Sequence, residues 1–212
     1  LNMSFNKRFD SILVLAKDNV ELVKFGVDAA GLPDLAVGRI VRFNMRAVGL
    51  NDAKGIAVDP DSGRLYILNA NGTQLVTITP TNTADYDGES AKNGGRIKKI
   101  NLDELPPGEF RGIAFNPNNG HLYSFNLDNQ RLYEFTENGS VLSTYDLNSL
   151  NLSNPGSLLF APSGDATDDP SNMNLFVLEG GQSVVSQSTP DREQLAINTD
   201  SVHILPCRCS TA

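Results

Sequence analysis

Gly55-Ile56-Ala57-Val58-Asp59-Pro60 and Gly112-Ile113-Ala114-Phe115-Asn116-Pro117 are two copies of one pattern, 57 positions apart. Upstream of each, Gly38-Arg39-Ile40-Val41-Arg42-Phe43-Asn44 matches Gly95-Arg96-Ile97-Lys98-Lys99-Ile100-Asn101 at the same offset. Downstream the register holds without a gap, because Gly63, Leu65, Tyr66, Asn69 and Leu75 fall on Gly120, Leu122, Tyr123, Asn126 and Leu132. Thirteen of the 38 positions from Gly38 to Leu75 are identical in the two copies. That agreement marks a repeated structural unit.

Fainter copies flank the pair. Met3-Ser4-Phe5-Asn6 and Ile12-Leu13-Val14-Leu15 align with Ile113–Asn116 and Leu122–Phe125. Gly156-Ser157-Leu158-Leu159-Phe160-Ala161-Pro162 and, after an insertion, Asn174-Leu175-Phe176-Val177-Leu178 form a fourth copy. The units run over about 1–53, 54–110, 111–154 and 155–205, with a tail at 206–212 that matches no unit. All four form one domain, in which the sequence begins close to a unit boundary.

Inside a unit the apolar residues recur with period two or in runs of four to six. β-branched and aromatic residues are enriched, so the segments are strands. The second unit predicts strands at about 55–59, 64–69, 74–79 and 95–101. Asp59-Pro60-Asp61-Ser62-Gly63 and Asn116-Pro117-Asn118-Asn119-Gly120 supply tight-hairpin chemistry. Four short antiparallel strands repeating about every 50 residues predict an all-β fold of radially packed blades, a β-propeller. Four units are fewer than a common closed ring holds, so a partial ring with open blade edges is expected, and open edges favour self-association.

Composition narrows the function classes. With 25 acidic and 17 basic residues among 212, the net charge is −8, which disfavours a groove that tracks nucleic-acid phosphates. The longest purely apolar stretch is near Ser11–Ala16, far short of the roughly 20 residues of a membrane span. Cys207 and Cys209, two apart, are poorly placed to bridge each other. His121 and His203 are too few for a histidine-rich zinc site. His121 reads as an exposed residue at a strand edge, and His203 as part of an alternating outer strand, 201–205.

The pattern Gly-Ile-Ala-Val-Asp-Pro, then Gly-Arg-Leu-Tyr, then Leu-Val-Thr-Ile resembles the NHL-repeat and related propellers, and the fourth unit is similar to blades of secreted bacterial surface proteins. The resemblance implies an extracellular or cell-surface location in bacteria. It also implies that the residue ending each second strand, here Ala16, Asn69, Asn126 and Glu179, borders the ligand-facing side. Its likeness to lactonase-type propellers makes calcium the one cofactor to consider, held by Asn69, Asn126 and Glu179, because calcium takes several oxygen ligands. Local turn capping by the same side chains is the competing reading. The acidic insertion at 165–170 lacks the glycine and distal glutamate of an EF-hand loop.

Lys54 and Arg111 occupy equivalent positions entering the innermost strands and are candidates to receive an anionic group at the channel mouth. Asn71, Asp128 and Asn129 lie in the adjoining loops. No Gly-x-Ser-x-Gly elbow is present. The expected function is therefore a non-catalytic binding module for a protein, glycan or small ligand. The alternative is a calcium-dependent hydrolase of lactones or phosphoesters.

Overall fold

The computed structural model describes residues 2–16, 21–36, 40–69, 73–81, 86, 96–150, 152, 155–162, 169, 171, 173–179 and 201–205. The strands follow one another in four antiparallel sheets. Sheet 1 holds β1 (Asn2–Asn6), β2 (Ser11–Ala16), β3 (Glu21–Gly26) and β4 (Ile40–Asn44). Sheet 2 holds β5 (Gly55–Val58), β6 (Leu65–Asn69), β7 (Gln74–Thr79) and β8 (Arg96–Asn101). Sheet 3 holds β9 (Phe110–Asn116), β10 (His121–Asn126), β11 (Arg131–Phe135) and β12 (Val141–Asp146). Sheet 4 holds β13 (Pro155–Pro162), β14 (Met173–Glu179) and β15 (Ser201–Leu205). The expectation of four strands per unit is met in sheets 1 to 3; sheet 4 has three among the described residues. His203 sits on β15, paired with Val177 of β14.

Sequence-equivalent residues build the same hairpin twice. The Asp59 carboxylate accepts from Asp61 N at 2.9 Å, and Gly63 N donates to Asp59 O at 2.9 Å. The Asn116 amide oxygen accepts from Asn118 N at 3.0 Å, and Gly120 N donates to Asn116 O at 2.8 Å. A side chain that satisfies a turn amide two residues on stabilises the reversal locally, without help from the rest of the chain.

The first strand of each sheet packs against the first strand of the next, so β1, β5, β9 and β13 form the inner wall. Each sheet has a front face toward the following sheet and a back face toward the preceding one. The back of sheet 2, with Ile56, Val58, Leu65, Ile67, Val76 and Ile78, buries against Leu13, Leu15, Leu22 and Phe43 of sheet 1. Its front, with Ala57, Tyr66, Leu68 and Leu75, buries against Ile113, Leu122, Tyr133 and Phe135 of sheet 3. The front of sheet 3, with Ala114, Tyr123, Phe125 and Leu132, meets Leu158, Leu175 and Val177 of sheet 4. Two-sided burial explains why the middle sheets read as continuous apolar runs, whereas β2 alternates between buried and half-buried residues. Outermost strands have a wet face, and β12 is exposed or half-buried throughout.

Polar clamps add specificity to this packing. Arg64 of sheet 2 reaches both carboxylate oxygens of Glu137 beyond β11, at 3.0 and 2.7 Å, and the Tyr66 hydroxyl donates to the same carboxylate. Between sheets 1 and 2, the buried Tyr86 hydroxyl donates to Gly63 O at 2.8 Å and accepts from the Asn6 amide at 2.5 Å.

Candidate ligand-binding face

The ends of β6 and β10, the starts of β5 and β9 and the loops beside them converge on one end of the sheets, because Gly55 pairs with Leu68 and Phe110 pairs with Asn126. Asn69 and Asn126 end their strands there, almost fully buried. The Asn69 amide oxygen accepts from Asn51 N at 3.2 Å and Asp52 N at 3.1 Å, while its nitrogen donates to Gln74 Oε1 at 3.1 Å and Gly49 O at 3.4 Å. Asn69 thus pins the loop that leads into β5. Asn126 Nδ2 likewise reaches the loop before β9, donating to Pro107 O at 3.5 Å, but its oxygen accepts from Asp128 N at 3.0 Å and Asn129 N at 3.3 Å and caps the turn that follows β10.

These geometries bear on calcium. Each carboxamide oxygen already receives two backbone N–H groups, and a cation at the same oxygen would compete with both. Among the described residues no group of three or more His, Cys, Asp or Glu side chains could hold a metal ion. The donor set at Asn69 and Asn126 does not fit a central calcium. Glu179 lies at the end of β14, paired with Pro155 and Ser201.

Lys54 and Arg111 do flank the inner strands as the repeat implies, and each comes with an acid two residues before it. Lys54 Nζ lies 3.1 Å from the Asp52 carboxylate. Arg111 Nε and Nη2 donate to Glu109 Oε1 at 2.9 and 2.7 Å. Asp52 and Glu109 are themselves 57 positions apart, so the repeat carries an acid-x-base pair rather than a lone cation. The signal was in the sequence, but only proximity makes it a pair. An anion would have to displace a carboxylate from each base, which removes most of the attraction expected of an open basic mouth.

The loop residues supply neutral and acidic hydrogen-bonding groups. Exposed Asp128 accepts from Glu109 N at 3.1 Å, tying the turn after β10 to the loop before β9. The Asn129 amide donates to the Tyr133 hydroxyl at 2.8 Å. Asn71, the acidic insertion at 165–168, Cys207 and Cys209 fall outside the described residues.

A second polar cluster, at the opposite end of sheet 3, was not anticipated. His121 is not the exposed edge residue expected: it is half-buried, with Nδ1 2.7 Å from Glu134 Oε1. Tyr123 donates to the same oxygen at 2.7 Å and Tyr145 to Oε2 at 2.7 Å. Cross-strand register explains it, since Tyr123 pairs directly with Glu134 across β10 and β11. Burial acts to raise the Glu134 pKa, but hydrogen bonds from Tyr145, His121 and Tyr123, with the His121 charge, outweigh it and hold the carboxyl below its ordinary value. Burial is the main cause raising the Tyr123 phenol, which therefore stays a donor. A carboxyl with a depressed folded pKa stabilises the fold fully above its ordinary value of 4.5, and loses that contribution as pH falls through the lower folded value. Glu134→Gln is expected to flatten the acid limb: its thermal midpoint at neutral pH falls, yet the further drop toward about pH 3 is smaller than in the parent. Equal acid slopes for both proteins would dismiss the network as a stabilising one.

No family model matches the sequence and no curated protein matches it. Solved structures do. In a nidogen/laminin complex, a chain aligns over 84% of this chain and 56% of its own length, at 16% identity and a TM-score of 0.53. The β-propeller domain of Cps50 (Swd1) from Myceliophteria thermophila aligns over 98% and 53%, at 11% identity and a TM-score of 0.51. Regucalcin, a calcium-binding protein of Agrobacterium tumefaciens, aligns over 82% and 51%, at 10% identity and a TM-score of 0.53. The chain thus spans about half the length of the solved structures it matches. With four successive antiparallel sheets stacked front to back around an inner wall, and with these likenesses, the chain has the β-propeller fold, consistent with its resemblance to NHL-type propellers.

Proposed function

We propose that the chain is a non-catalytic binding module, outside or on the surface of a bacterial cell, whose loop-bearing end recognises a protein, glycan or small ligand. A second copy of the chain is a further candidate partner at the end sheets, whose outer faces have no partner among the described residues. The observation that carries the reading is how the loop end is built. Asn69, Asn126 and the Asp52–Lys54 and Glu109–Arg111 pairs are committed to holding loops in place. Exposed Asp128 and half-buried Asn129 then stand on a rigid support, which lowers the ordering cost of recognition. Charges compensated within the site suit hydrogen bonding to a peptide main chain or a sugar better than capture of an anion.

The matching chain from the nidogen/laminin complex supports protein recognition by this fold. Regucalcin, a calcium-binding protein, supports the calcium part of the alternative, a calcium-dependent hydrolase, but fold likeness does not transfer chemistry, and Asn69 and Asn126 present no vacant oxygen. The two readings separate in one set of measurements. Titration with calcium chloride is expected to give no saturable heat, and lactone and phosphoester probes are expected to survive. A glycan array and a panel of extracellular proteins are expected to yield a ligand whose binding falls at least tenfold in Asp128→Ala or Asn129→Ala. Chelator-sensitive hydrolysis, or a calcium isotherm lost in Asn126→Ala, would overturn the proposal.

A further inference from the structure

The stacking that buries each sheet leaves two faces without a partner among the described residues. On the back of sheet 1, cross-strand register places Phe5, Ile12, Phe25 and Ile40 in one row and Met3, Val14, Val23 and Arg42 in the next. Met3 is 63% exposed and Phe5 50% exposed. Their repeat equivalents on sheet 3, Ile113, Phe115 and Leu122, pack under sheet 2. The front of sheet 4 is also apolar, with Leu159, 45% exposed, in register with Phe176, and Leu178 in the neighbouring row.

We propose that copies of this chain associate head to tail, the back of sheet 1 in one copy covering the front of sheet 4 in another. Three observations select that occupant. First, every covered back face in the molecule is covered by the front face of another sheet of the same chain, and sheet 4 holds the front face left over. The contact continues an interface the chain already makes three times. Second, the charges on the sheet 1 face cancel at its outer edge, because Arg42 of β4 pairs with Glu21 of β3 at 2.7 Å on that same face. A neutral apolar surface does not repel a like-charged copy, and it offers no attraction to a partner of opposite charge. Third, four strands about 4.8 Å apart and about five residues long make a face of roughly 300 Å² in the plane. Two such faces cover roughly 600 Å² before side-chain relief is counted, below the about 1,000 Å² of a stable interface, so each contact is a weak, transient one and association is expected only at tens of micromolar. A front-to-back contact is heterologous, so it closes into a ring or extends, as the blade rotation dictates. The inference does not depend on ligand recognition, because the end faces are separate from the loop end.

The test uses the 212-residue chain and exposed positions, so that folding is preserved and can be checked by circular dichroism. Light scattering with size exclusion at tens of micromolar is expected to give the parent as a dimer or larger. Met3→Glu with Phe5→Glu, blocking sheet 1, and Leu159→Glu, blocking sheet 4, are each expected to run as monomers. Mixed, the two variants retain one good face apiece and are expected to form a one-to-one pair. A monomeric parent overturns the proposal. So does self-association of either folded variant, which would indicate a like-to-like contact, or failure of the mixture to pair.

Discussion

Gly112→Ala is expected to lose about 3 kcal/mol of unfolding free energy, the sum of a left-handed backbone penalty of about 1–2 kcal/mol and an overpacking penalty of about 1–3 kcal/mol. Gly112 has φ +65°, and a Cβ there would lie 3.1 Å from both Leu158 Cγ and Leu158 N of the next sheet. Gly120 supplies the control. It has φ +75°, and the position a Cβ would take there has nothing within 4 Å, so Gly120→Ala should lose only the backbone part, about 1 kcal/mol. Gly55→Ala tests the other part alone: its Cβ would sit 2.8 Å from Ile113 N, a backbone atom that cannot swing aside. Urea midpoints measure all three. Equal losses for Gly112→Ala and Gly120→Ala would show that the sheets do not abut at the inner wall as described. The repeated glycine that heads each Gly-Ile-Ala motif therefore has a packing cause: the inner strands approach one another closely enough that Gly112 N donates to Lys54 O at 3.2 Å.

Leu122→Ala should destabilise the fold by about 2–5 kcal/mol, because Leu122 is fully buried between sheets 2 and 3 and its removal leaves a cavity that rigid neighbours cannot close. Leu142→Ala, on outer strand β12 of the same sheet, removes a side chain that is 47% exposed and should change stability by less than about 0.5 kcal/mol. Both are leucines within strands of one unit, and only depth in the stack separates them. Similar losses at the two sites would contradict the arrangement in which inner strands carry the core and the outermost strand faces water.

Much of the fold was legible in the residues alone. The repeat at 57 positions, the period-two patterning and the Asp59 and Asn116 turns place β5 to β8 within a residue or so of the expected bounds, since each signal is local and each turn satisfies its own amides. The candidate site was less legible. Lys54 and Arg111 were expected as receptive cations, yet Asp52 and Glu109 neutralise them. Asn69 and Asn126 occupy equivalent positions of a gapless repeat, yet the Asn69 oxygen accepts from the loop before β5 and the Asn126 oxygen from the turn after β10, a choice the residue pattern does not encode. His121 was expected to be exposed, whereas cross-strand register brings it to Glu134.

An all-β chain of four like units, with its strands and hairpins, was thus written in the order of the residues, because these features depend on backbone propensity and on contacts between near neighbours in the chain. Which apolar faces are covered, which charges are cancelled and which carboxamides remain available followed only from the packing of the sheets. A period-two pattern gives a strand two faces but cannot say what lies against either one, since that depends on the position of the next sheet and on side-chain reach across it.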